Sequence, residues 1–137
     1  MGKYIEFEKL EVWQLGAELV KEIYSLAGTF PANEKYGLVS QLKRASVSIP
    51  ANIAEGYGRY HYMEKVKFYL NARGSLFELR SHLLKPKELN LINKTNLEKL
   101  LPLINKLGVK LNNLITSMRE RKLSGGSNEK CKKDEFL

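Results

Sequence analysis

Four stretches of the chain repeat their apolar residues at helical spacing, with polar breaks between them. Between Tyr36 and Gly58, Leu38, Leu42, Ala45, Ile49 and Ile53 recur at steps of four, three, four and four, which keeps one apolar stripe on a single helix face. Ser40, Ala45, Ser46, Ser48, Ala51, Ala54 and Gly56 surround that stripe, so the helix is thin on several sides and neighbouring backbones can come close. It reads as the central helix. Pro50 inside it gives no N–H to the Ser46 carbonyl and crowds that carbonyl with its ring, at about 3 kcal/mol, so a kink is expected at Ser48 to Pro50. Ser or Asn side chains are the donors at hand for the freed carbonyl.

The first helix is expected from Phe7 to Ala27, with Leu10, Trp13, Ala17, Val20, Tyr24 and Ala27 as its bundle seam. A second apolar row, Val12, Leu19, Ile23, Leu26 and Phe30, lies about 100° round the helix. Gly28 and Pro31 stop this helix, and Asn33 is placed to cap the next. The third helix is predicted from Tyr60 to Leu84 or slightly beyond. Val66, Tyr69, Ala72, Leu76, Leu79 and Leu83 form its seam, and Met63, Leu70, Phe77 and Leu84 repeat every seven residues beside it. Pro86 bends or ends this helix and Asn90 closes it. The fourth starts at Asn93 or at the T-x-x-E capping box of Thr95 and Glu98, and continues through Leu97, Leu100, Ile104, Leu107, Leu111, Leu114 and Met118, with a kink expected at Pro102. Four such helices joined by short loops predict an all-α, up-down-up-down antiparallel four-helix bundle over residues 1–122. From Leu123 onward periodicity stops, and residues 123–137 are expected to be a disordered polar tail.

The string SQLKRASVSIPANIAEGYGR, Ser40 to Arg59, resembles the signature of small bacterial four-helix bundle proteins encoded within intervening sequences of 23S ribosomal RNA genes, also called the S23 ribosomal protein family. The accessory variability determinants of diversity-generating retroelements are related to them. FEKLEVWQ at Phe7 to Gln14, FP then E then YGL at Phe30 to Leu38, and FYLNARGSLFEL at Phe68 to Leu79 extend the likeness over about residues 5 to 120. Where the family usually reads ELETQL and then a helix-ending LG, this chain has ELRSHL at Glu78 to Leu83 and Leu89 with Asn90, and Asn also tolerates the left-handed conformation. The resemblance implies a homo-oligomeric ring, a pentamer, and no catalytic residues. The doubled apolar rows on the first and third helices suggest burial against a second copy, the alternative being a wide face internal to one chain.

Charge refines the picture. The formal net charge of +8 is uneven: residues 1–32 carry −2, residues 33–60 carry +2, residues 61–90 carry +3, residues 91–122 carry +5 and the tail is neutral. A basic excess on the last three helices attracts nucleic acid, an anionic membrane surface or an acidic protein, unless the lysines only solvate helix surfaces. A five-fold ring would carry roughly +40, which turns a modest basic patch into a strong multivalent polyanion site. One Cys, Cys131, fits a reducing compartment and leaves no intramolecular disulfide to form. With no apolar leader at the N-terminus and no run of 18 apolar residues, the protein is expected to be soluble and cytoplasmic, not in the membrane.

Catalytic and metal chemistry find no support in the spacing of residues. His61-x-x-Glu64 and Glu78-x-x-x-His82 both miss the Glu-x-x-His arrangement of bundle metal sites, and no Arg stands at the ribonuclease spacing from either His. A Gly-rich phosphate loop and a nucleophile triad are also missing, so neither enzyme activity nor a cofactor or metal is expected. The GYGRYHY run at Gly56 to Tyr62 is more suggestive. Tyr57 and Tyr60 could stack unpaired bases while Arg59 holds phosphate, or the tyrosines could pack over the end of the core. Lys43 and Arg44 on the second helix, and Lys65, Lys67 and Arg73 on the third, complete the candidate nucleic-acid contacts.

Two functions remain open at this level. One is a non-catalytic accessory protein that binds structured RNA or an RNA/DNA hybrid through a basic oligomeric surface. The other is a protein-interaction scaffold that docks an enzyme such as a reverse transcriptase.

Overall fold

The computed structural model describes residues 6–88 and 90–125. Its four helices are α1 (Glu11–Ala27), α2 (Leu38–Tyr57), α3 (Tyr62–Glu88) and α4 (Lys94–Gly125), with short 3-10 turns at Phe7–Lys9 and Ala32–Glu34. The helices pack in chain order, each on the next, and α4 closes back on α1 to complete the bundle. Paired contacts set the directions: Arg44 meets Glu78 and Gly56 meets Tyr69 between α2 and α3, while Lys99 meets Glu22 and Lys110 meets Glu11 between α4 and α1. In each pair one number rises as the other falls, so neighbours run antiparallel.

Leu19, Ile23, Leu42, Ile49, Ile53, Leu76, Leu79, Leu83, Leu107 and Leu111 are fully enclosed at the centre. Each such side chain contributes about 1.5–3 kcal/mol by leaving water. The stripes expected on α2 and α3 are those buried, apart from the half-exposed Leu38 at the start of α2. On α1 the expected seam is buried only at its ends, Leu10 and Ala27, and the second row takes its place between them. Val12, Leu19, Ile23, Leu26 and Phe30 are buried, whereas Trp13, Ala17 and Val20 of the expected seam are half-buried and Tyr24 is exposed. Both rows are apolar, and only the partners' positions decide which turns inward.

Helix ends shift for local reasons. Leu10 is extended, so residues 7–9 form a separate turn folded back on α1, where the Phe7 ring meets Trp13 edge-on at 5.3 Å. Gly37 precedes α2 without a side-chain cap, and Asn33 lies in the preceding 3-10 turn. α2 passes through Pro50 as one helix, with Ser46, Ser48 and Asn52 bonding the carbonyls of Lys43, Ala45 and Ser48 respectively, not that of Ser46. α3 passes position 86 and ends at Glu88, and Asn90 takes the left-handed conformation at φ 59° that the sequence indicated. Asn93, not the Thr95 box, caps α4: its Oδ1 accepts the Asn96 amide at 2.8 Å. α4 reaches Gly125, three residues into the expected tail. Residues 126–137, Cys131 included, lie outside the described residues.

Candidate functional site

Two glycine contacts fix how the helices that carry the cations sit. A Cβ on Gly56 would stand 2.8 Å from Tyr69 Cε1 and 3.0 Å from Phe68 Cβ, so α3 crosses directly over the α2 terminus. A Cβ on Gly16 would stand 3.4 Å from the Pro50 ring, where α1 meets α2. The first approach holds α3 close against α2 and the second holds α2 close against α1.

The candidate contact residues separate into buried and exposed groups. Lys65 is 1% exposed; its Nζ donates to the Tyr57 carbonyl at 2.5 Å and the Gly56 carbonyl at 3.3 Å, and lies 5.2 Å from the Tyr57 ring. It thus satisfies the last turn of α2 and places a positive charge at the negative end of that helix. Tyr57 is 4% exposed and belongs to the core. Neither Lys65 nor Tyr57 is available to a nucleic acid, and both expectations are corrected here, because the close crossing at Gly56 seals this end of the bundle. Of the two readings left open for the tyrosines, Tyr57 follows core packing, while Tyr60 stays half-exposed, with its ring edge-on to His61 at 5.1 Å.

The remaining cations reach the surface with differing engagement. Lys43 Nζ lies over the Tyr24 ring at 4.8 Å. Arg44 bonds Gln41 Oε1 at 2.6 Å and pairs with Glu78, whose carboxylate also approaches His82 Nε2 at 3.3 Å. The Arg44 hydrogen bond holds the Glu78 carboxyl below the usual carboxylate range, His82 adds to this, and partial burial opposes it. Arg59 pairs with Glu55 at 2.9 Å and its guanidinium covers the Phe68 ring at 4.6 Å. Lys67 is exposed on α3. Arg73 Nη1 donates to Asn112 Oδ1 at 2.9 Å across to α4.

That last contact has a counterpart the sequence reading did not include. Arg80 Nη1 donates to Asn105 Oδ1 at 3.1 Å, so two Arg and Asn pairs bridge α3 and α4 one heptad apart. Antiparallel register places Phe77 opposite Gly108 between them. Phe77 is 62% exposed, and with Leu76, Arg80, Asn105, Gly108 and Val109 it lines an open groove of about 250 Å³. The only signal in the sequence was the seven-residue interval shared by Arg73 and Arg80 and by Asn105 and Asn112. On the other flank of α4, Lys99 and Lys110 pair with Glu22 at 2.8 Å and Glu11 at 3.2 Å, so the acidic α1 neutralises part of the fourth helix's excess.

Among the described residues, no cluster of three or more His, Cys, Asp or Glu side chains could hold a metal ion, and no helix is long and apolar enough to cross a membrane. Fold and surface together define a small all-α bundle whose notable chemistry is cationic side chains and exposed aromatic rings. The family model described as 23S rRNA-intervening sequence protein matches residues 8–113, and the chain belongs to that family. No curated protein matches the chain.

Proposed function

We propose that the protein is a non-catalytic accessory protein that binds nucleic acid, structured RNA or an RNA/DNA hybrid, through the cationic surface of α2, α3 and α4, and does so in the cytoplasm. The observation that supports this most is the α3–α4 face, where Arg73 and Arg80 are held outward by Asn112 and Asn105 beside an exposed aromatic ring. Arg59 adds a cation at the bundle end near the exposed Tyr60, and Lys67 and Arg44 extend the surface along α3 and α2. Association into a ring, a pentamer by family resemblance, belongs to the same reading, because copies that share one ligand gain effective concentration without new contacts. The α1–α2 face is the one such association would bury: Tyr24 and Val47 are exposed there, and Trp13, Ala17 and Val20 are half-buried.

The test is binding of a mixed RNA pool, and retention on heparin, between about 50 and 200 mM salt. Several phosphate contacts require affinity to fall steeply over that range. Affinity that is flat, or absent at both ends, defeats the proposal. Sedimentation equilibrium checks the assembly: a monomer at micromolar protein removes the ring.

The exposed Tyr24 and Val47 also support a second reading, a scaffold that presents α1 and α2 to a protein partner such as a reverse transcriptase. Co-purification with one protein after nuclease treatment, lost in Val47→Glu, would favour it over the first.

A further inference from the structure

The groove between α3 and α4 differs chemically from the rest of the surface. Phe77 stands 62% exposed at its centre, where leaving water would be favourable, and among the described residues most of the ring stays uncovered. Arg73 and Arg80 flank it one turn to either side, and each spends one donor on an Asn oxygen. A guanidinium carries five N–H donors in a fixed fork, so each arginine is oriented by its Asn and retains donors for a phosphate. Seven residues at the helical rise set these arginines about 10.5 Å apart along α3, the length of about three stacked nucleotides at roughly 3.4 Å each. No carboxylate lines the groove.

Gly74 supplies an independent pointer. It lies in the interior of α3, three residues before Phe77, and a Cβ built on it would meet nothing within 4 Å. Unlike Gly56, it is not required by any packing contact of the fold, yet a glycine inside a helix costs about 1 kcal/mol relative to alanine. A bare backbone at this spot leaves room for something outside the chain to come close.

We propose that this groove is a binding site for single-stranded nucleic acid, in which Phe77 stacks on an unpaired base and Arg73 and Arg80 hold the phosphates on either side. The proposal rests on the polyanion reading above and narrows it to an unpaired strand and a location. A second copy of the chain is the other occupant, since Glu18 on α1 is exposed while Glu11 and Glu22 are held by Lys110 and Lys99. A groove with two arginines and no lining carboxylate matches a polyanion better than a chain that carries both signs. An unpaired strand supplies what the groove lacks, a flat apolar face between two anions.

Fluorescence anisotropy with a labelled, unstructured pyrimidine oligonucleotide of about 12 nucleotides tests the site, with a duplex RNA of equal length in parallel. Phe77→Ala is expected to weaken single-strand binding about tenfold and duplex binding less than twofold, since only an unpaired base offers its face, and Phe77→Tyr is expected to restore it. Arg73→Ala with Arg80→Ala should lower the single-strand salt slope by about 1.4, or 0.7 per phosphate lost. Circular dichroism establishes that each variant is folded. Single-strand affinity unchanged by Phe77→Ala overturns this proposal while leaving the broader reading intact. The same holds if Phe77→Ala alters sedimentation and not binding, which would make the groove a contact between copies. Wild-type protein that binds neither ligand overturns both.

Discussion

Replacing Lys65 with methionine separates two roles that the sequence left confounded. The methionine fills nearly the same volume, so the perturbation is the loss of one ammonium from the end of α2 and not a cavity. In the structure that ammonium donates to the carbonyls of Tyr57 and Gly56; the Gly56 carbonyl also accepts the Arg59 amide at 3.1 Å, so the acceptor that depends on the lysine is that of Tyr57. Leaving a buried acceptor without a donor costs about 1–3 kcal/mol, and removing the desolvated charge returns part of that. The net destabilisation is about 1–2 kcal/mol, which for a domain of this size lowers the midpoint of unfolding by about 5 °C. Thermal unfolding followed by helical circular dichroism measures it, and heparin retention well below the midpoint should equal that of the wild type. If Lys65→Met melts within about 2 °C of the wild type and loses heparin retention, the lysine is a ligand contact and the capping argument is wrong.

Three further outcomes follow from particular contacts. Gly56→Ala must push a methyl against Tyr69 and the Phe68 Cβ, so urea unfolding should show a loss of about 2 kcal/mol, and an unchanged midpoint would mean that the helices do not cross so closely. Gly74→Ala should do the reverse, raising stability by up to about 1 kcal/mol while weakening single-strand binding; a gain in both would detach Gly74 from the groove. Glu78 has its folded pKa depressed mainly by Arg44, so the pairing contributes above the ordinary carboxylate range and is lost as pH falls through the lowered value. Carboxyl NMR of Glu78 should therefore titrate at higher pH in Arg44→Ala than in the wild type. The change in stability should stay under about 1 kcal/mol because both side chains are solvent-accessible.

The candidate site was legible only in part. Arg59 and Glu55 are four apart on one helix, so their pairing could be anticipated from spacing, whereas Arg44 reaches Glu78 on another element, a contact that spacing within one helix does not encode. Lys65 shows the limit most clearly. A lysine amid charged and aromatic residues looks like a solvated cation, and only the passage of α3 over Gly56 turns it inward onto the α2 terminus.

Helix number, their approximate extents and the seams of α2, α3 and α4 were written in the sequence, because a 3.6-residue period and local stop signals act over a few neighbouring positions. So was the left-handed turn at Asn90, a conformation chosen by one side chain's tolerance. Which of two equally apolar rows on α1 faces the core was decided by packing, since burial depends on where the other three helices stand. The same packing turned Lys65 and Tyr57 inward and left Phe77 outside between two arginines, because register across α3 and α4 is fixed by residues some 30 positions away along the chain and not by any local preference.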